Sequence, residues 1–557
     1  MIALLVSGFI ALFLFIVFGY FTTKLFSIPA NITETLLIGL ISVNIFTLII
    51  SLFYPITIYV LIAFISVSIV LVFYTKKKLV EICHSIFSEY HIIALSIPFI
   101  LIGLYITLHK PGVFDSGLYH IQSIKWIEEY STVPGLANLH HRFGFNPIIF
   151  HVYALTSLKD VFGQEIFSIN LVLFSIFTVY FIHKLYHRFK VKGVDSYFIF
   201  YLIFFYVLLL LSATIASPAP DFLSSALLLF IFLQLAEKAE KESASTLKSY
   251  LPLLICSTYC IMTKLSTLPI GIFVVYILFS YRQDLKSTAR ICMGLILICF
   301  PWFIKTILLT GWILYPLAAI DLFSFDWKVP SSVVQQLNTE IVGWARCPND
   351  FYYEVAHMPL TKWVPIWWAP LTVYIKLLII GSILSPVMMF VAQFINIISA
   401  RRLTNMILCV TLSGVCFWFF TAPDFRFGQL FILIAVCSPL LYINFTFPLG
   451  RGSYLRKELL IIFICALLLL KFTRNNYGSD VPTLQQFVSS TWIKPEKINS
   501  ENIVFTYAYS GNCKIYKPTQ DERCFDHQIP CSHLDISSIE LRGPNLTTGF
   551  RYTLKDK

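Results

Sequence analysis

Charge is what this chain has least of. Asp, Glu, Lys and Arg make up only 13% of its 557 residues, while 57% are hydrophobic. A soluble domain is nearer a quarter charged, so a soluble globular fold is excluded. Alternating apolar and polar strands are also missing. The apolar runs are continuous and about 20 residues long, the length needed to cross a bilayer as a helix rather than to line a barrel. No basic module interleaved with aromatics is present. The formal charge of +11 is therefore assigned to cytoplasmic loops and not to nucleic acid. The first 20 residues have neither a basic leader nor a small-residue cleavage site. They read as an uncleaved helix with its N-terminus outside, followed by Lys24. The cysteine spacings match no zinc pattern. Cys347, Cys513, Cys524 and Cys531 lie in polar stretches. A disulfide is expected among the three in the tail if that tail is extracytoplasmic.

What is present is a series of about fourteen apolar segments, at 2–20, 33–52, 55–74, 91–108, 165–183, 195–214, 222–236, 250–263, 267–281, 291–310, 371–398, 403–420, 429–448 and 458–471. The expected architecture is an all-α polytopic membrane domain over 1–471 and a small extracytoplasmic C-terminal region over 472–557, in which "NIVFTYAYS" reads as a strand. Orientation follows from Lys and Arg near span ends. Lys76–Lys78, Lys184 to Lys192, Lys238 to Lys248, Arg282 to Arg290, Arg401, Arg402, Arg451, Arg456 and Lys457 all fall on one side, assigned to the cytoplasm. The loops 109–164, 216–221, 311–370 and 421–428 then face out. The 311–370 loop is rich in Trp, Pro and Tyr, types expected at the membrane interface.

The outer loops hold most of the ionisable chemistry. "FDSGLYHIQSIKWIEEYSTVPGLANLHHRFGFN" carries Asp115, Tyr119, His120, His141 and Arg142. Residues 116–130 read as a helix, with Asp115 at its start. That carboxylate is expected either to cap the helix by accepting the Leu118 amide or to act as a general base. Spacing of three to four places Asp115, Tyr119 and Gln122 near one face. Arg142 is a fixed fork suited to phosphate. Asp221 in "SPAPDFL", Lys264 in "MTKLS", and Asp424 and Arg426 in "APDFRFGQ" fall at the same depth. An ionisable group there is expensive and is paired or functional. Asp424 with Arg426 reads as a local ion pair or as part of an anion site. Adjacent histidines cannot both face one ligand in a helix, so no metal is assigned. A divalent ion is left open.

One candidate base and several cations at one rim suit a substrate whose phosphate lies at headgroup level. Asp115 in "FDSGLYH", the long aromatic loop ending in "WWAP", and "APDFRFG" before a late span resemble the GT-C class of membrane glycosyltransferases. The resemblance covers roughly 1–470. It implies a GT-C-like fold, Asp115 as catalytic base, and Arg426 or Lys264 on a lipid phosphate. The implied partners are a polyprenyl-phosphate sugar donor, a glycan, lipid or protein acceptor, and membrane lipids, at a plasma or inner membrane. Two features depart from that class: three spans precede the one leading to Asp115, and Asp115 stands alone in its loop. The WWD-type signature of oligosaccharyltransferases is missing. The alternatives are a lipid-linked oligosaccharide flippase or transporter, and a surface-polysaccharide polymerase or ligase. A transporter calls for midplane polar groups and repeat symmetry, which the sequence does not display.

Overall fold

A computed structural model describes residues 1–241, 246–349, 351–394, 402–441, 446–447, 462–471, 491–497, 503–510, 513–535 and 537–553, without the side chains of 77–87, 241, 392–394, 402, 446 and 447. The expected span ends at 395–398, 442–445, 448 and 458–461 lie outside the described residues, as do Arg401, Arg451, Arg456 and Lys457.

The long apolar runs form ten helices able to cross a bilayer among the described residues. These are Ile2–Leu25, Ile32–Phe53, Ile58–Lys76, Tyr90–Leu108, Ile169–Lys192, Ser196–Thr214, Pro220–Glu240, Leu285–Thr310, Val373–Val391 and Leu403–Thr421. The chain is a multi-pass helical membrane protein. Four other expected segments are shorter helices: Leu247–Thr263, Leu265–Ser280, Phe425–Leu441 and Ile462–Lys471.

Local chemistry sets where helices start and how closely they pack. Asn31 Oδ1 accepts the Glu34 amide at 2.9 Å, and Glu34 Oε2 accepts the Asn31 amide at 2.8 Å. This reciprocal cap satisfies two donors that the second helix would otherwise leave open. The first two helices meet backbone to backbone, because a Cβ on Gly39 would lie 1.8 Å from the Phe15 carbonyl oxygen. Small residues permit this approach, which van der Waals packing inside lipid requires.

Two breaks in regular helix position the polar residues. Ser116–His120 forms a wide turn in which the Ile121 amide bonds to the Ser116 carbonyl, five residues back, before the helix Ile121–Glu129. Such π-type turns rotate the side chains after them relative to an α-helix. The second break is at Lys264. Leu247–Thr263 ends there in extended backbone (φ −155°, ψ 119°), and a 3₁₀ turn, Leu265–Ile270, leads into Gly271–Ser280. Pro269, in that turn, has no amide hydrogen to donate.

Part of the aromatic loop is exposed, including Trp344, Phe351 and Tyr353, and part packs inside. Trp312, Trp363 and Trp367 are buried. Trp367 Nε1 donates to the Pro423 carbonyl at 2.7 Å, and Trp418 Nε1 donates to the Asp424 carbonyl at 2.6 Å. These indoles therefore pack and hold the turn that presents Arg426. Indole N–H groups taken into a core need such acceptors.

The C-terminal region contains two antiparallel hairpins, Phe505–Ser510 with Cys513–Pro518 and Ile539–Leu541 with Phe550–Tyr552. Cys524 and Cys531 form a disulfide. The region docks on the loop after Leu108. The Phe525 amide donates to Gly117 O at 2.8 Å, Gln122 Nε2 donates to Phe525 O and His527 O at 2.9 Å, and Lys125 Nζ donates to Asp526 O at 2.7 Å. The amides of Ile2 and Ala3 donate to Trp492 and Ile493 carbonyls, each at 2.9 Å. The N-terminus, the Asp115 loop and the tail thus share one end of the bundle.

Candidate active site

Asp115 directly precedes the wide turn and makes no side-chain cap with it. The expected Leu118 cap is therefore corrected: arginines hold the carboxylate instead. Arg142 Nη1 donates to Asp115 Oδ1 at 3.1 Å, and Arg426 Nη1 donates to Oδ2 at 3.4 Å. An ionised carboxylate gains more from two guanidinium donors than from a backbone amide. Arg142 stands on the short turn His141–Phe145, which ends at Asn146 in left-handed backbone (φ 48°). Arg426 stands in the first turn of Phe425–Cys437, whose cap is Asp424.

A second ion pair adjoins the first. Lys264 Nζ meets Asp221 Oδ1. The Phe427 ring lies under both cations, 4.6 Å from Lys264 Nζ and 4.8 Å from the Arg426 guanidinium carbon. The aromatic face attracts each cation and partly shields them from one another. Arg426 also lies in the field of Asp221, so a second acid does join Asp115, from a different loop. The two carboxylates face three cations. Arg426 is the most open member, its side chain 45% exposed against 18% for Asp115.

Tyr119 and His120 close the site from behind, both in the field of Asp115. Their rings meet edge to face at 4.4 Å. Burial pushes the His120 imidazole down to about 4, so it is neutral at physiological pH. Burial, with Asp115 close by, pushes the Tyr119 phenol up and keeps it a hydrogen-bond donor.

Two sequence-based expectations, for Asp424 and Gln122, resolve differently, and His141 has a local partner. His141 turns back on its own segment, Nδ1 standing 3.3 Å from the Ala137 carbonyl. Asp424 Oδ1 accepts the Arg426 backbone amide at 2.8 Å, so it is a helix cap, and Arg426's side-chain ion pair is with Asp115. Gln122 serves the tail and not the Asp115 face, because the wide turn shifts the register on which that face was drawn. Phe427 was not singled out from sequence, although "DFRFG" displayed it beside Arg426. Ser217 was also missed: its hydroxyl accepts the Val113 amide at 3.1 Å, tying the Asp115 loop to the segment bearing Asp221.

Asp115, Arg142, Asp221, Lys264 and Arg426 all precede residue 433, whereas the docking tail follows it. No curated protein and no solved structure gives a match to the chain. The family described as Domain of unknown function (DUF8201) matches residues 1–433, and the chain belongs to it.

Proposed function

We propose that the chain is an integral-membrane glycosyltransferase, GT-C-like, that moves a sugar from a polyprenyl-phosphate donor to an acceptor at the extracytoplasmic face. The observation that carries this reading is Asp115 shared between Arg142 and Arg426, with Lys264 joined to the same group across Phe427. The most exposed cation, Arg426, is free to leave Oδ2 for an incoming phosphate. Oδ2 then accepts the proton of the acceptor hydroxyl as that oxygen bonds to the anomeric carbon. The bond from that carbon to the phosphate oxygen breaks, its electron pair stays on the phosphate, and Arg426, Arg142 and Lys264 stabilise the growing charge. Neutral His120 and the un-ionised Tyr119 add no charge that would compete with the phosphate.

Two independent features support an exterior site. Among the described residues, Lys184 to Lys192, Lys238, Lys248 and Arg282 to Arg290 lie at helix ends remote from the Asp115 loop, and the tail packed against Gly117 holds a disulfide, a bond that persists in oxidising compartments. A transporter reading finds less support. Lys305 is buried in the helix Leu285–Thr310, but it meets Ser51 Oγ at 3.1 Å and His151 Nε2 at 2.7 Å. His151 belongs to the same loop as Asp115, so this amine is at the loop end of the bundle.

Proteoliposomes carrying radiolabelled polyprenyl-phosphate sugars test the reading. Expected is loss of sugar from the carrier, onto an acceptor or water, with free polyprenyl phosphate produced. Lipid crossing the bilayer with its glycosidic bond intact would overturn the enzyme reading in favour of a flippase.

A further inference from the structure

The end of the bundle remote from Asp115 holds a second cluster of unusual chemistry. Glu89 directly precedes the helix Tyr90–Leu108, without a side-chain cap, and that helix spans roughly 28 Å at 1.5 Å per residue before reaching the Asp115 loop. His183 and His187 lie one turn apart on Ile169–Lys192, so both project from one face. One donor atom from each of Glu89, His183 and His187 lies within 4.8 Å of the others, and this is the one such group of three or more among the described residues. His91 stands beside them, with Nε2 3.6 Å from Glu89 Oε2, and that nitrogen is buried without a hydrogen bond.

The spacing suits a single small cation. Metal–ligand bonds of about 2.0–2.1 Å put tetrahedral donors about 3.3 Å apart. Glu89 Oε2 and His187 Nε2 are 3.3 Å apart. Carboxylates offset three of the surrounding basic residues, although the field of Lys184 still acts against positive charge at His183. Lys184 meets Glu237 at 2.7 Å, Arg188 meets Glu240 at 2.6 Å and also Asp195, and Lys192 meets Glu240 at 2.5 Å. Imidazoles with a carboxylate and no thiolate favour borderline first-row ions over Ca²⁺ or Mg²⁺.

We propose that Glu89, His183 and His187 form a site for a divalent first-row ion, zinc in type, that links the two helices opposite the Asp115 cluster. The site is independent of glycosyl transfer. The ion joins the helix leading to Asp115 to its neighbour at the far end. His91 supplies the fourth position or hydrogen-bonds a ligand there.

The test uses tag-free full-length protein in detergent, stripped with chelator and titrated with ZnCl₂ by calorimetry. Expected is one site with micromolar or tighter affinity, weakened at least about tenfold by His183→Ala/His187→Ala. His140, His141 and His533 serve as a control for binding at the other end, and His533→Ala should leave the affinity unchanged. Zinc should raise the melting temperature of the wild-type protein and not of the double variant, while the two melt alike without metal. Equal zinc affinity in the double variant, or no binding by the wild type at about 100 µM zinc, overturns the proposal.

Discussion

Asp115 and Arg426 are separated by 311 residues, yet the guanidinium donates to the carboxylate at 3.4 Å. This contact joins the loop after Leu108 to the start of a late helix, and it puts the carboxylate and the guanidinium at one end of the bundle. The same contact fixes what substitutions should do, since each partner holds the other in the resting protein.

Asp115→Asn keeps the shape of the side chain but removes the proton acceptor. Turnover should fall by about 10²-fold or more, the scale of general-base catalysis. Donor KM should stay level or drop, because Arg142 and Arg426 lose a competing anion. Steady-state kinetics on reconstituted protein measure both quantities. A normal turnover number would end the role assigned to Asp115.

Arg426→Ala and Arg426→Lys separate charge from shape. The alanine variant should raise donor KM about tenfold or more, in line with loss of a charge-assisted contact. The lysine variant should recover part of that loss and no more, because an ammonium cannot fork to two oxygens. Salt should weaken donor binding in the wild type more than in the alanine variant, since Arg426 is the exposed member of the cluster. Identical donor KM across all three proteins would remove Arg426 from the site.

The tail is tested through Gly117. A Cβ there would lie 2.8 Å from the Phe525 ring, so Gly117→Ala should push the disulfide loop off the wide turn. Activity and hydrogen-exchange protection of residues 114–130 should both fall. Adding Phe525→Ala opens the space and should restore much of the activity. Opening the Cys524–Cys531 bond should reproduce the first effect without the steric cause, at about 2–3 kcal/mol for so short a loop. Full activity in Gly117→Ala would show that the tail is a bystander.

The pattern of what the sequence displayed has a physical basis. Apolar runs are local and long, so the helices could be placed from residue order alone. Residue chemistry is local too. For that reason Asp115, Arg142, Asp221, Lys264 and Arg426 could be picked out before any contact was known. Contacts across hundreds of residues are not local. Nothing near Gln122 indicates that it serves Phe525 and His527, and nothing near Gly117 foretells the Phe525 ring. The wide turn at Ser116–His120 was hidden because an α-helix and a π-turn draw on the same residue types. Asp424 read as an ion-pair partner because a cap and a salt bridge place the same residue at the same spacing.

Acid should loosen the protein at the Asp115 end. Burial pushes the His120 ring down to about 4, and burial, with Arg142 and His141 nearby, does the same to His533. An unfolded histidine titrates near 6.5. Below that pH the unfolded chain takes up protons that the native rings refuse. The stability is therefore present above about 6.5 and is lost progressively as pH falls towards 4. For buried His120 the loss is on the order of 3 kcal/mol. Melting curves from pH 7 to 4 should show it, and His120→Gln should flatten the dependence. Parallel curves for wild type and variant would contradict the assignment.

The Asp221–Lys264 pair decides whether Lys264 serves the substrate or only its partner. Asp221→Asn strands a cation against Phe427 and should destabilise the protein by a few kcal/mol, because a partly buried charge loses its counter-ion. Lys264→Met strands the carboxylate with a similar cost. The double variant removes both charges and should regain most of the stability, as paired apolar replacements often do. Donor affinity then discriminates. If Lys264 contacts the phosphate, the double variant melts like the wild type but binds donor about tenfold more weakly. If Lys264 exists only to neutralise Asp221, stability and donor affinity return together, and the phosphate cradle reduces to Arg142 and Arg426.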